Sequence, residues 1–206
     1  MDGKLIEFPA GRRSARAGPA HPSVAPEPAL DVAPDRGDAF ALACLEIRPI
    51  RGTPVPAPAL LRVRERCVQA VVVGLADAGG AVLVAGTSER PVIEGRFEGD
   101  RAGELAAHAA LAAAAAVRRA QRAGERAFAV SGGLASGRAR TTGSGVRVAS
   151  GSATRLAERL RETAALGQLL LGGADWEDLE LETVPRPGVS VEPGETAPVR
   201  VLRGTG

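Results

Sequence analysis

At 206 residues with 45% apolar content, the chain has room for one domain plus tails and enough apolar surface for a core of ordinary size. A formal charge of +2, with both signs spread along the chain, excludes the clustered basic face that a nucleic-acid binder presents. No run approaches the roughly 20 apolar residues that span a bilayer, and Arg12-Arg13 is followed by no hydrophobic region, so a soluble, cytoplasmic, non-exported protein is expected, with neither nucleic acid nor membrane as partner.

Residues 1–38 carry Pro9, Pro19, Pro22, Pro26, Pro28 and Pro34 without apolar periodicity, and read as a disordered leader that cannot offset its ordering entropy. Within it, Lys4 to Phe8 is a short amphipathic start. The folded domain is expected over residues 39–203, with 204–206 a tail. Phe40 to Ile47 is almost continuously apolar, as for a central strand covered on both faces. Prolines at 49, 54, 56 and 58 enforce an extended loop. A helix follows from near Ala59, with Leu60, Leu61, Val63, Cys67, Val68, Val71 and Val72 wrapping wide around it, until Gly74 or the Gly79-Gly80 turn. Ala81–Ala85 and Pro91–Phe97 read as a hairpin closed by Gly86-Thr87-Ser88-Glu89-Arg90. Asp100 is the expected cap of an Ala-rich helix from Leu105 to about Arg122, ended by Gly124.

Ala127 to Arg138 reads as a strand whose Gly132, Gly133 and Gly137 mark a crowded backbone. Val146 and Val148 alternate at the strand period, and Ser150 or Ser152 is a good helix N-cap. Ala153, Leu156, Ala157, Leu160 and Ala164 form one helical apolar stripe, opposite Arg155, Glu158, Arg159, Arg161 and Glu162. Gly167 supplies a left-handed position, and Gln168 to Leu171 restarts as a strand. Two late strands are expected at Trp176–Val184 and Ala197–Leu202, separated by the turn-forming Pro187-Gly188 and Pro193-Gly194. The order gives an α+β fold: a ferredoxin-like sheet with helices packed on it, plus a C-terminal hairpin. With four Phe, one Trp and no Tyr, packing falls to Ala, Val and Leu, so the helices must sit close. The Ala, Arg and Gly bias points to a high-GC bacterial genome.

Cys44 and Cys67 have no CxxC partner and no histidine at ligand spacing, and read as small buried hydrophobes. Gly132–Arg138 and Gly143-Ser144-Gly145 are glycine-rich but fit neither GxxxxGK[ST] nor GxGxxG. His21 and His108 assemble no nucleophilic constellation. The acidic residues among Asp175–Glu182 alternate with Trp176, Leu179 and Leu181 as on a solvated strand face.

From Phe40 to Arg203 the chain resembles the catalytic domain of class III adenylate/guanylate cyclases. Phe40 to Ile47 looks like the strand that ends in a metal-binding aspartate. Gly79-Gly80-Ala81-Val82 looks like the Gly-Gly-x-Val entry to the central hairpin, and Phe97 like the residue closing it. Gly132 to Gly137 looks like the Gly-Ile-His-x-Gly strand. Ala153-Thr154-Arg155-Leu156 and Gly167-Gln168-Leu169-Leu170-Leu171 look like the transition-state helix and the strand after it. The resemblance implies two metal-binding carboxylates, for which this chain offers Glu46 and Glu89, and a catalytic arginine, Arg155. The second position lacks the family's aspartate, and Arg90 puts a cation where a metal would sit. Val84 and Gly151 stand where a purine-reading lysine and a transition-state asparagine are expected.

The expectation is therefore a cyclase-like domain, catalytically weak or inactive, that signals through homo- or hetero-association. A homodimer is expected, or a heterodimer with a cyclase-like or signalling protein, since the family builds its sites across a head-to-tail dimer. No cofactor is expected, with Mg or Mn required only if the domain is active. Two alternatives stand beside it: an active nucleotide cyclase using Glu46, Glu89 and Arg155, and a ferredoxin-like ligand-sensing module.

Overall fold

The computed structural model describes residues 38–52, 56–121, 126–141, 147–149, 151–173, 176, 179–192 and 195–203. All lie in the second of two units into which the chain divides, Pro34–Gly206. The expected leader, apart from Asp38, and the tail 204–206 fall outside the described residues, as do His21, Val146, Ser150 and the Gly143-Ser144-Gly145 stretch.

Among the described residues, eight strands and three helices follow in the order β1 (Asp38–Pro49), α1 (Ala57–Asp77), β2 (Ala81–Gly86), β3 (Pro91–Glu98), α2 (Ala102–Ala120), β4 (Phe128–Thr141), β5 (Arg147–Ala149), α3 (Gly151–Thr163), β6 (Leu169–Gly172), β7 (Thr183–Glu192) and β8 (Glu195–Leu202). They form one sheet in the order β2-β3-β1-β4-β6-β8-β7, with β5 attached to β4 alone. All pairings are antiparallel except β4 with β6, the pair that α3 connects. The α+β class, the central place of β1 and the C-terminal β7–β8 hairpin are those read from the sequence.

Strand periodicity divides β1 between two cores. Ala41, Ala43, Leu45 and Ile47 enter the larger apolar cluster with α1 and α2. Phe40, Leu42 and Cys44 enter a smaller one with Ala153, Leu156, Ala157 and Leu160 of α3. The buried positions of α2 are all alanine except Val117, which is how the helix pair achieves the close approach the composition demands. On the other face, a Cβ on Gly133 would collide with the Ala157 carbonyl and Leu160, so glycine there lets α3 lie directly on β4. Gly167, at φ 77°, makes the turn from α3 into β6.

Several local expectations are corrected. Helix α1 begins at Ala57, and Leu61 is 53% exposed, so the apolar arc is narrower than its composition suggests. The N-cap of α2 is Arg101, not Asp100, and it makes no capping hydrogen bond; its side chain pairs instead with Glu104 at 2.7 Å. The first late strand starts at Thr183, not Trp176, and runs through Pro187-Gly188 as a bulge between Arg186 and Val189. Trp176 is a buried plug in the larger core, donating its indole N–H to the Gly172 carbonyl at 2.8 Å. Gly132–Arg138 is mostly buried strand, so it offers no loop to cradle phosphate.

Candidate functional site

The period of two that sends Phe40, Leu42 and Cys44 toward α3 also sends Glu46 and Arg48 there, at the C-terminal end of β1. The apolar residues run out and a carboxylate follows them into the interior. Glu46 is 1% exposed and could not stay charged there without partners. Three arginines supply them. Arg48 donates Nε at 3.1 Å and Nη2 at 3.0 Å to Glu46 Oε2, and Arg161 donates Nη1 to the same oxygen at 3.0 Å. Arg90, from the β2–β3 turn, donates Nε to Oε1 at 2.9 Å, with Nη2 also 2.9 Å away.

Burial pushes the Glu46 carboxyl up, but the hydrogen bonds from Arg90 and Arg48 outweigh it and hold the carboxyl below its ordinary value. Arg48 also reaches the end of α3, donating Nη1 to the Ala164 carbonyl and Nη2 to the Arg161 carbonyl, each at 2.6 Å. It thus satisfies carbonyls the helix leaves open and sets a cation at the negative end of the helix dipole. The carboxylate therefore ties together β1, the central hairpin and the C-terminus of α3. Donors exceed acceptors here: Arg161 Nε is buried without a hydrogen-bond partner among the described residues.

The centre opens onto a cleft of about 990 Å³ whose walls include Glu46, Arg48, Arg51, Arg64, Glu89 and Arg90. Arg90 is the solvent-facing member of the triad, 71% exposed against 20% for Arg48 and 16% for Arg161. Glu89 lies in the same cleft, where its backbone carbonyl accepts from Arg64 Nη1 at 3.4 Å. Arg155 is exposed on α3 and does not line the cleft; six residues before Arg161, it sits about 9 Å back along the helix axis. Val84 is half exposed on the edge strand β2. His108 is exposed on α2.

The structure thus brings Glu46 and Arg90 into contact, places Glu89 nearby and leaves Arg155 apart. Arg48 and Arg161 are the members the sequence reading missed. Arg48 was signalled by its position two residues beyond Glu46 on the same strand face. Arg161 was signalled by its place on the flank of the stripe, four residues after Ala157.

A divalent cation needs carboxylate oxygens able to turn toward it. Both Glu46 oxygens are engaged by guanidinium donors, and an added ion would sit within contact range of further positive charge. The residues as placed do not fit a metal at Glu46. Among the described residues, no group of three or more His, Cys, Asp or Glu side chains is placed to hold one. The thiols are inert as well, burial pushing Cys44 up to about 12 and Cys67 to about 11.

No protein-family model matches the sequence, and no curated protein matches it either. Solved structures do match. The catalytic core of a rhodopsin-guanylyl cyclase with converted specificity, in complex with ATPαS, superposes with a TM-score of 0.63 at 11% identity, covering 81% of this chain and 96% of that one. This is the class III cyclase fold. The guanylate cyclase domain of RhGC from Catenaria anguillulae, in complex with GTP, gives 0.59 at 12% identity over 79% of this chain and 96% of the other. The adenylyl cyclase CyaB from P. aeruginosa gives 0.54 at 15% identity over 83% and 96%. At such identities the cyclase fold is what is shared. No helix among the described residues is long and apolar enough to cross a membrane.

Proposed function

We propose that this chain is a cyclase-fold domain that does not cyclise nucleotides and acts in signalling by associating with a second copy or a related domain. The observation that carries this is the state of Glu46, a buried carboxylate at the end of β1 whose two oxygens hold three arginines. Two-metal chemistry requires that carboxylate to neutralise cations, whereas here it already neutralises side chains of its own chain. Arg155 on the exposed face of α3 is proposed to serve a contact rather than a transition state, because transition-state stabilisation needs its partners placed with it.

Association is supported by the surface. The edge strand β2 leaves Leu83 60% and Val84 50% exposed, with no charged residue along Ala81–Gly86 to discourage pairing. Among proteins of the same fold, the guanylyl cyclase domain of the RhoGC fusion protein from Blastocladiella emersonii is described as a non-canonical dimer in one structure and as monomeric in another.

The test is mass-spectrometric detection of cAMP and cGMP after incubation with ATP or GTP and manganese, alongside Arg155→Ala. No product from folded protein is expected. Product that disappears in the Arg155→Ala variant would overturn this reading in favour of an active cyclase with substituted metal ligands. Sedimentation velocity across a hundredfold concentration range tests the second half, and a strictly monomeric protein that also fails to pair with cyclase-fold domains would overturn it.

A further inference from the structure

We infer that the cleft beside Glu46 is a metal-free site for a phosphate-monoester dianion carrying an apolar body. The inference rests on the reading of this centre as one that does not take metals, and extends it from what the centre lacks to what it is suited to hold.

Charge comes first. Four arginines and two glutamates line the cleft, an excess of two positive charges, and Arg161 adds a third from behind Glu46. Surplus cations converging in one concavity raise the local concentration of anions, and a dianion matches the lining excess. The donors are also of the right kind. Guanidinium groups bind tetrahedral phosphate through paired N–H donors, and unlike metal ions they need no carboxylate to hold them in place. Arg90 is the group positioned to change partners: it is exposed, and it spends both contacting nitrogens on one oxygen of Glu46. If it turns toward a bound anion, Glu46 still keeps Arg48 and Arg161 on its other oxygen, so the buried carboxylate is never left unpaired. Arg51 and Arg64 line the same cleft, Arg64 donating Nη1 to the Glu89 carbonyl next to Arg90 at 3.4 Å.

The remainder of the cleft is apolar. Leu61 and Leu166, 53% and 48% exposed, line it together with Ile50 and Pro49. Exposed leucines bordering a basic concavity suit a ligand whose oxyanion is joined to an apolar group, and apolar contact of this kind adds to affinity without contributing to the salt dependence.

The experiment is isothermal titration of the full chain with phenyl phosphate in EDTA at low ionic strength, with inorganic phosphate in parallel. Saturable 1:1 binding is expected, several-fold tighter for phenyl phosphate than for phosphate. Arg90→Gln, at an exposed position, should weaken both at least tenfold. Leu166→Ser should weaken phenyl phosphate alone. Circular dichroism confirms that each variant is folded. Binding that appears only when manganese replaces EDTA would overturn this inference and the metal-free reading of Glu46 together. Absence of binding under both conditions would overturn the inference alone, leaving the proposed non-cyclase function standing. Binding unchanged in Arg90→Gln would overturn it also.

Discussion

On the face covered by α1 and α2, β1 contributes Ala41, Ala43, Leu45 and Ile47 to one continuous apolar cluster. On the face covered by α3 the same strand contributes Phe40, Leu42 and Cys44 and then changes to Glu46 and Arg48. The first face is held by many interchangeable apolar contacts and by helices that meet through alanine. The second is held by one short helix, a floor of glycine and a single charged clasp at its end. Loss of any one contact on the first face is local, whereas Glu46 couples β1, the central hairpin and α3 at once. Stabilisation by a buried charge is conditional: it exists only while every partner is present.

The largest test of this contrast removes the clasp. Glu46→Ala leaves three guanidinium groups without their shared anion and should destabilise the fold by about 3–5 kcal/mol, read from urea unfolding midpoints. Leu75→Ala on the opposite face, at a fully buried site, should cost about 2–5 kcal/mol through its cavity. The two differ in how they respond to pH. The Glu46 carboxyl lies below its ordinary value in the folded protein, so its contribution is present above about pH 4.3 and is lost as pH falls through the folded value. The stability gap between the natural chain and Glu46→Gln should therefore be constant from pH 7 to about 5 and narrow below about 4, while the Leu75→Ala gap stays level. A gap that ignores pH would show that Glu46 is not charged in the fold.

A smaller effect is expected from Gly133→Ala, whose methyl would push against the α3 backbone and cost about 1–3 kcal/mol. Near-ultraviolet circular dichroism should change little in that variant, because Trp176 belongs to the other core. The smallest effect belongs to Arg155→Ala. At an exposed helix position it should alter stability by no more than about 0.5 kcal/mol, and any change it makes should appear in association instead.

Much of the architecture was readable from the chain because its signals are local. The apolar run of β1, the alanines of α2, the stripe of α3 and Gly167 each depend on near neighbours, and each formed where its period placed it. The first late strand was expected from Trp176 and begins at Thr183, because Trp176, Leu179 and Leu181 alternate like a strand, yet the large core had room for an indole plug; the second formed where it was expected. Asp100 was a plausible cap, but a cap is settled by backbone geometry at the turn, and the chain enters α2 one residue later.

The candidate site divides along the same line. Sequence by itself determined that Glu46 stands at the end of the central strand, that the hairpin offers Glu89 and Arg90 where an aspartate was expected, and that α3 carries arginines on its polar side. Only the tertiary structure decided which of those arginines matters, since Arg48, Arg90 and Arg161 are separated by up to 113 positions in the chain and meet only when α3 lies across β1. Charge pairing depends on distance in space, and a sequence records only distance along the chain.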